Sequence, residues 1–153
     1  MKKYLKNAID YCLATTRYST EQEVIEELKR KNSLIHSKLR YSIAKDIAVY
    51  LQKRFKNTLK NVALYGSTEK YNASMYSDID LLLVVNCFDP KLEKTLKKLN
   101  KKISRDYYLL IGIDGSKESN ILDFHIINEE PNIMDFSSSY LKYILKNESE
   151  ILV

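Results

Sequence analysis

The sequence predicts an α/β (α+β) domain: a small mixed sheet of about four strands with flanking helices and an extra helical segment on its N-terminal side. Three observations carry that expectation. Up to about residue 55, apolar side chains recur at helical spacing. From Val62 the period changes to that of short buried strands. Beyond Val85, helix-like and strand-like segments alternate to the end.

The elements follow in order. In residues 1 to 17, Tyr4, Leu5, Ala8, Ile9 and Cys12 form one apolar face. Ser19 or Thr20 caps a second helix, whose first turn holds Glu21 and Glu23 and which runs to about Lys31 with Val24, Ile25 and Leu28 inward. Asn32-Ser33 breaks it. A third helix spans about Leu34 to Phe55, with Leu39, Ile43, Ile47 and Leu51 every four residues. Val62 to Tyr65 is a buried strand ending at Gly66, and Asp78 to Val85 is a second. Asp89-Pro90 opens a helix expected to reach about Ser104, because proline suits a first turn. Tyr107 to Ile113 reads as a third strand, Asp114-Gly115-Ser116 as the turn of a late hairpin, and Ile121 to Ile127 as a fourth strand. A last helix covers about Ser138 to Lys146.

A length of 153 residues fits one domain with one core, read as residues 1–153 with a helical extension over 1–32 and a core over 45–130. An apolar fraction of 44% and a charged fraction of 29% are those of a soluble globular chain. Three glycines and two prolines exclude a long linker. The net charge of +5 is uneven: residues 1–60 hold 14 Lys or Arg against 6 acids, and residues 61–153 hold 11 against 14. A basic half attracts phosphate-bearing partners, and it is also the composition of a solvated helical surface. Cys12 and Cys87 both lie in apolar surroundings without paired spacing, so two buried free thiols and a cytoplasmic location are expected. No apolar run suits a signal peptide or a membrane span.

The chemistry-bearing residues are carboxylates. Alternate residues of a strand face the same way, so Asp78 and Asp80 project side by side. Paired carboxylates repel, and a hard divalent cation such as Mg²⁺, or Mn²⁺ in its place, removes the penalty. Gly66-Ser67 ends the preceding strand, ten residues before Asp78. There the glycine admits a close phosphate, and a helix starting at Ser67 would offer free N–H groups to it. Asp123 shares a strand face with His125, opposite Leu122, Phe124 and Ile126. Beside the first pair it would complete a two-metal site for in-line displacement.

Gly66-Ser67, ten residues, Ser77, then Asp78-Ile79-Asp80-Leu81, with Asp123 on a later strand, resembles the nucleotidyltransferase superfamily that includes DNA polymerase beta, and within it the minimal nucleotidyltransferases of prokaryotes. The resemblance covers roughly residues 45 to 130. It implies that Gly66, Ser67, Lys70 and Ser77 bind nucleotide, that Asp78, Asp80 and Asp123 are catalytic and hold two Mg²⁺ ions, and that a nucleoside triphosphate, ATP by preference, is the donor. Where such proteins carry Arg-Gly after the Gly-Ser pair, this chain has Lys70-Tyr71 within Thr68-Glu69-Lys70-Tyr71. Lys70 supplies the charge without the planar fork.

The implied activity is transfer of a nucleoside monophosphate, AMP by preference, to a hydroxyl acceptor. Small relatives suggest a protein acceptor, a HEPN-type ribonuclease toxin met by an antitoxin, with nucleic-acid ends or aminoglycosides as other acceptors. The rival expectation is a non-catalytic module that binds nucleotide, RNA or protein on a degenerate fold. The N-terminal helices are expected to cover the sheet, to form a homodimer interface or to bind the acceptor. His125 is expected to be a hydrogen-bonded neighbour, with contact to substrate from the Asp123 face the alternative, His36 a surface residue, and Ser137-Ser138-Ser139 a helix cap, with a nucleotide-contacting loop the alternative. Tyr65, Tyr71 and Tyr76 flank the site as packing residues, with base stacking the alternative. The lysines from Lys91 to Lys102 form an exposed helix face.

Overall fold

In the computed structural model, which describes residues 3–113, 120–129 and 136–153, with the side chains of 136–138 outside the description, the chain winds around one long helix. That helix, α3 (Ser33–Arg54), buries Ile35, Leu39, Ile43, Ile47 and Leu51, and also Ala44 and Ala48 on a second side. It has neighbours on both: α1 (Lys3–Thr15) and α2 (Glu21–Leu28) on one, the sheet on the other. Thr20 caps α2 by accepting from Glu23 N at 3.2 Å, and Asn32 caps α3 by accepting from Ile35 N at 3.2 Å.

The sheet has the order β3-β2-β1-β4, formed by β1 (Leu59–Tyr65), β2 (Ile79–Val85), β3 (Leu122–Asn128) and the two-residue β4 (Glu150–Ile151). β1 runs antiparallel to β2 and β4, whereas β2 and β3 are parallel, so the sheet is mixed. The parallel pair is joined by α5 (Pro90–Leu110), the long crossover such a pair needs. One sheet face, with Val62, Leu64, Ile79, Leu81 and Leu83, joins the core shared with α1, α3 and α5. Ala63, Leu82 and Ile127 on the other face pack with Ile144 of α6 (Phe136–Asn147). None of the helices among the described residues is long and apolar enough to cross a membrane.

Several expectations need correction. Tyr107 to Leu110 is not strand: α5 continues past Ser104 to Leu110. Its buried positions Leu92, Leu96, Leu99, Ile103 and Tyr107 keep one helical stripe, and the apolar pairs beside Tyr107 hide that period. Among the described residues there are four strands, the fourth being β4, and no hairpin joins residues 107–113 to β3. The turn expected at Asp114-Gly115-Ser116 lies outside the described residues. Cys87 is exposed, since it follows β2 instead of lying in it. Cys12 is buried, and burial pushes its thiol up to about 12. α6 starts at Phe136, so Ser137, Ser138 and Ser139 belong to its first turn and do not precede it.

His36 is also corrected: it is fully buried, together with Arg40 one turn on. The Arg40 guanidinium has no carboxylate within ion-pair distance among the described residues. Its partners are neutral. Nε donates to Ser77 O at 2.9 Å, and Nη2 donates to Met75 O at 2.9 Å and Tyr107 Oη at 3.0 Å. Nη1 lies 3.3 Å from both His36 O and His36 Nδ1. The Tyr107 ring stacks beneath the cation, 5.0 Å from centroid to Cζ, and Tyr107 Oη donates to Met75 O at 2.8 Å. His36 Nε2 meets Arg30 O at 2.9 Å. A carbonyl only accepts, so Nε2 carries the proton and Nδ1 accepts from Arg40.

Two outcomes are expected. Arg40→Met takes a donor from Ser77 O, Met75 O, Tyr107 Oη and His36 O, of which Met75 O keeps the bond from Tyr107, and urea unfolding should report a loss of about 1–3 kcal/mol. Unchanged stability would show that the network is ornamental. For His36, burial lowers the imidazole's pKa from the ordinary 6.5, outweighing the rise from its bond to Arg30 O, and the charge of Arg40 lowers it further by a lesser amount. The unfolded chain therefore binds this proton more readily, so the contribution is full above about pH 6.5 and is lost as pH falls below it. Thermal midpoints across that window should fall with acidification in the native protein and fall less in His36→Gln.

Candidate active site

The site forms where β1 and β2 approach their common end. β1 stops at Tyr65, and Gly66 turns the chain with φ +78° into a single helical turn, α4 (Gly66–Glu69). A Cβ at Gly66 would run into Asp80 Oδ2 and lie 3.2 Å from Asp80 Cγ. Glycine is required twice, by the left-handed backbone and by a carboxylate seated on it. The Ser67 carbonyl accepts from Asn72 N at 2.9 Å and Thr68 O accepts from Tyr71 N at 3.2 Å, closing the turn with Tyr71 at φ 58°. This is the helix-ending motif that normally takes glycine at the left-handed residue. The departure from Arg-Gly therefore leaves the backbone turn in place, with Tyr71 where glycine would be unstrained. Ser67 Oγ has no hydrogen-bond partner among the described residues, and Lys70 is exposed at the end of α4.

The carboxylates come from two anchored segments. The loop before β2 is tied to α3: Ser37 Oγ accepts from Ala73 N at 3.0 Å, and Arg40 donates to Met75 O and Ser77 O. Asp78 leaves this loop, exposed, and Asp80 enters β2. The start of β3 is tied to α5 in the same way. Asn100 donates to Leu122 O at 2.8 Å, and Ser104 Oγ accepts from Ile121 N at 2.9 Å. Asp123 follows and sits opposite Asp80 in the parallel register, while Tyr65 sits opposite Asp80 on the other side. Adjacent strands lie about 4.8 Å apart, so Tyr65, Asp80 and Asp123 form one row across three strands.

The charges of this row are strained. Burial, then the charges of Asp123 and Asp78, push the Asp80 carboxyl up to about 6, against a smaller pull down by His125. Burial and Asp123 also raise Asp78, while Arg40 lowers it. Burial, then Asp80 and Asp123, raises the Tyr65 phenol. His125 Nε2 lies 3.2 Å from Asp123 Oδ2, the neighbour role expected of it. Among the described residues, no three His, Cys, Asp or Glu side chains stand together as a group that could hold a metal ion by themselves. Asp78, Asp80 and Asp123 are the acids that could contribute to one, and Mg²⁺ would have to complete its shell there with water and substrate phosphate. Their mutual repulsion is what such a cation would relieve.

A cleft of about 680 Å³ opens beside β3, walled by Asp78, Asp123, Tyr76, Lys97, Asn100 and Tyr108. Asp80 is not in its walls and lies toward Gly66, so the three acids stand between the Gly66 turn and the cleft. Of the other expected residues, Ser77 uses its hydroxyl within the turn, accepting from Ser74 N at 2.8 Å. Tyr76 is 69% exposed at the mouth of the cleft, Tyr71 is exposed, and Tyr65 is half-buried against α6 residues. The sequence reading missed Arg40, Ser37, Asn100 and Ser104. The usable signal was His36 and Arg40 at positions that continue the inward Ile43–Ile47 stripe of α3, where a charge needs a reason.

A family model described as a nucleotidyltransferase domain matches residues 44–152. No curated protein matches the chain.

The two left-handed residues predict opposite responses. Gly66→Ala should cost about 1–3 kcal/mol in urea unfolding, since it adds backbone strain and displaces Asp80. Tyr71→Gly should gain about 1 kcal/mol. Equal effects of the two substitutions would refute the assignment of their backbone conformations.

Proposed function

Because the chain belongs to the nucleotidyltransferase domain family, with 44–152 as the matched residues, we propose that it transfers a nucleoside monophosphate, AMP from ATP, to a hydroxyl acceptor. The family supports nucleotidyl transfer as the general activity. The observation that carries the finer reading is the row of acids: Asp80 and Asp123 in register on parallel strands, with Asp78 on the same approach and Gly66 backed onto Asp80.

In this reading the triphosphate lies over the Gly66 turn. The bare backbone admits its β- and γ-phosphates, Ser67 Oγ donates to them, and Lys70 supplies a positive charge nearby. Asp78, Asp80 and Asp123 would hold the divalent cations, which when bound neutralise the phosphate charge and acidify the acceptor hydroxyl. The acceptor comes through the cleft beside β3, where Asp123 orients its hydroxyl and takes its proton. The acceptor oxygen bonds to the α-phosphorus while the bond to the bridging oxygen breaks, and pyrophosphate leaves. Positioning and charge complementarity supply the rate. A hydroxyl on a protein surface suits this cleft, because it opens along a sheet edge and is walled by side chains of both charges, Asp78, Asp123 and Lys97.

The test is calorimetric titration of each nucleoside triphosphate with and without Mg²⁺, for the native protein and for Asp78→Asn with Asp80→Asn. Binding of ATP should require Mg²⁺ and vanish in the double variant. No binding of any triphosphate at about a millimolar, where a site of roughly −4 kcal/mol would register, removes the reading.

A further inference from the structure

A dense run of positive charge lies along α5. Helix α5 carries seven Lys or Arg against two acids. All seven are exposed, because the helix spends Leu92, Leu96, Leu99 and Ile103 on the core. On one flank α5 meets the C-terminal end of α3 in a groove of about 350 Å³. Its walls hold Arg54, Lys91, Lys94, Lys98 and Lys102, with Tyr50 among them and no acid. None of these five cations forms an ion pair among the described residues. Packed like charges repel and add nothing to the core, so the arrangement favours an anionic occupant.

The spacing narrows the occupant. Lys91, Lys94, Lys98 and Lys102 recur once per helical turn. At about 1.5 Å rise per residue the steps are about 4.5–6 Å and the row is about 16 Å long. A straight row of evenly stepped charges fits a polymer whose own charge repeats along a line. Arg54 Nη1 donates to Tyr50 Oη at 2.9 Å, which fixes a guanidinium and an aromatic ring side by side in the groove. A ring held among cations is the combination on which bases stack while the backbone is neutralised. Tyr50 is half-buried, packed in part against the core and in part lining the groove. The volume of the groove suits one strand in place of a duplex.

We propose that the groove between α5 and the end of α3 binds the phosphate backbone of a single nucleic-acid strand, with Tyr50 stacked on a base. This binding is separate from the chemistry proposed at the acids. The groove lines up with Lys91, Lys94, Lys98 and Lys102, whereas the cleft beside Asp123 uses Glu93, Leu96, Lys97 and Asn100 on the other flank of α5.

The probe is a fluorescently labelled single-stranded RNA of about a dozen nucleotides, followed by anisotropy across a KCl series. The native protein should bind it with a logarithmic salt slope of about −0.7 for each phosphate neutralised. Lys94→Glu with Lys98→Glu should weaken binding at least tenfold and make the slope shallower by about 1.4, with the thermal midpoint unchanged. Tyr50→Leu should weaken binding without changing the slope. The same reversal on α1, Lys3→Glu with Lys6→Glu, should leave affinity within about twofold, and Asp78→Asn with Asp80→Asn should bind as the native protein does. Three outcomes overturn the proposal: no binding at low salt, equal losses from the α5 and α1 reversals, or competition by polyglutamate as effective as that by RNA, which would point to an acidic protein instead.

Discussion

The guanidinium of Arg40 is the constraint on which the site rests. A buried cation without a carboxylate is costly, and here it is stabilised by carbonyls, a phenol and an aromatic face. Those carbonyls belong to Met75 and Ser77, which stand directly before Asp78. The residues that satisfy the charge are therefore the residues that deliver the acid pair. Its field also acts through space, holding Asp78 lower than burial and Asp123 would leave it. Structural and electrostatic roles meet in one side chain.

The second half of the site repeats the device with neutral groups. Asn100 and Ser104 of α5 satisfy the backbone of Ile121 and Leu122, and Asp123 is the next residue. α3 and α5 thus each fix the start of one strand, β2 and β3, and each of these strands sends its carboxylate to the other side. Parallel pairing then brings the two strand starts to the same end of the sheet. The Gly66 turn reaches that end because β1 runs antiparallel to β2.

Much of this was legible in the sequence, for definite reasons. Asp78, Asp80 and Asp123 interrupt apolar runs, where a charge stands out, and period-two alternation gives their faces. Gly66 is conspicuous in a chain with three glycines. The anchors were not legible, because each is a polar residue on a helix whose partner is a backbone group far away in sequence: Arg40 reaches Ser77, and Ser104 reaches Ile121. Tyr107 and Tyr108 favour strands by composition, and only their register with Leu96, Leu99 and Ile103 marks them as helical. β4 is two residues long and has no pattern to read. Its identity comes from pairing with Ala63 and Leu64.

That pairing has a cost in chain entropy. Leu152 N donates to Val62 O at 2.8 Å and Val62 N to Val153 O at 3.3 Å, contacts between residues some ninety positions apart. Closing so long a loop is entropically expensive, whereas β1 and β2 meet through a short connection. The α6 face of the sheet depends on the same distant segment. The cost is offset by what the segment covers: without β4 and α6, Ala63 and Leu82 would lie bare beside an unpaired edge of β1, the kind of edge that invites another strand.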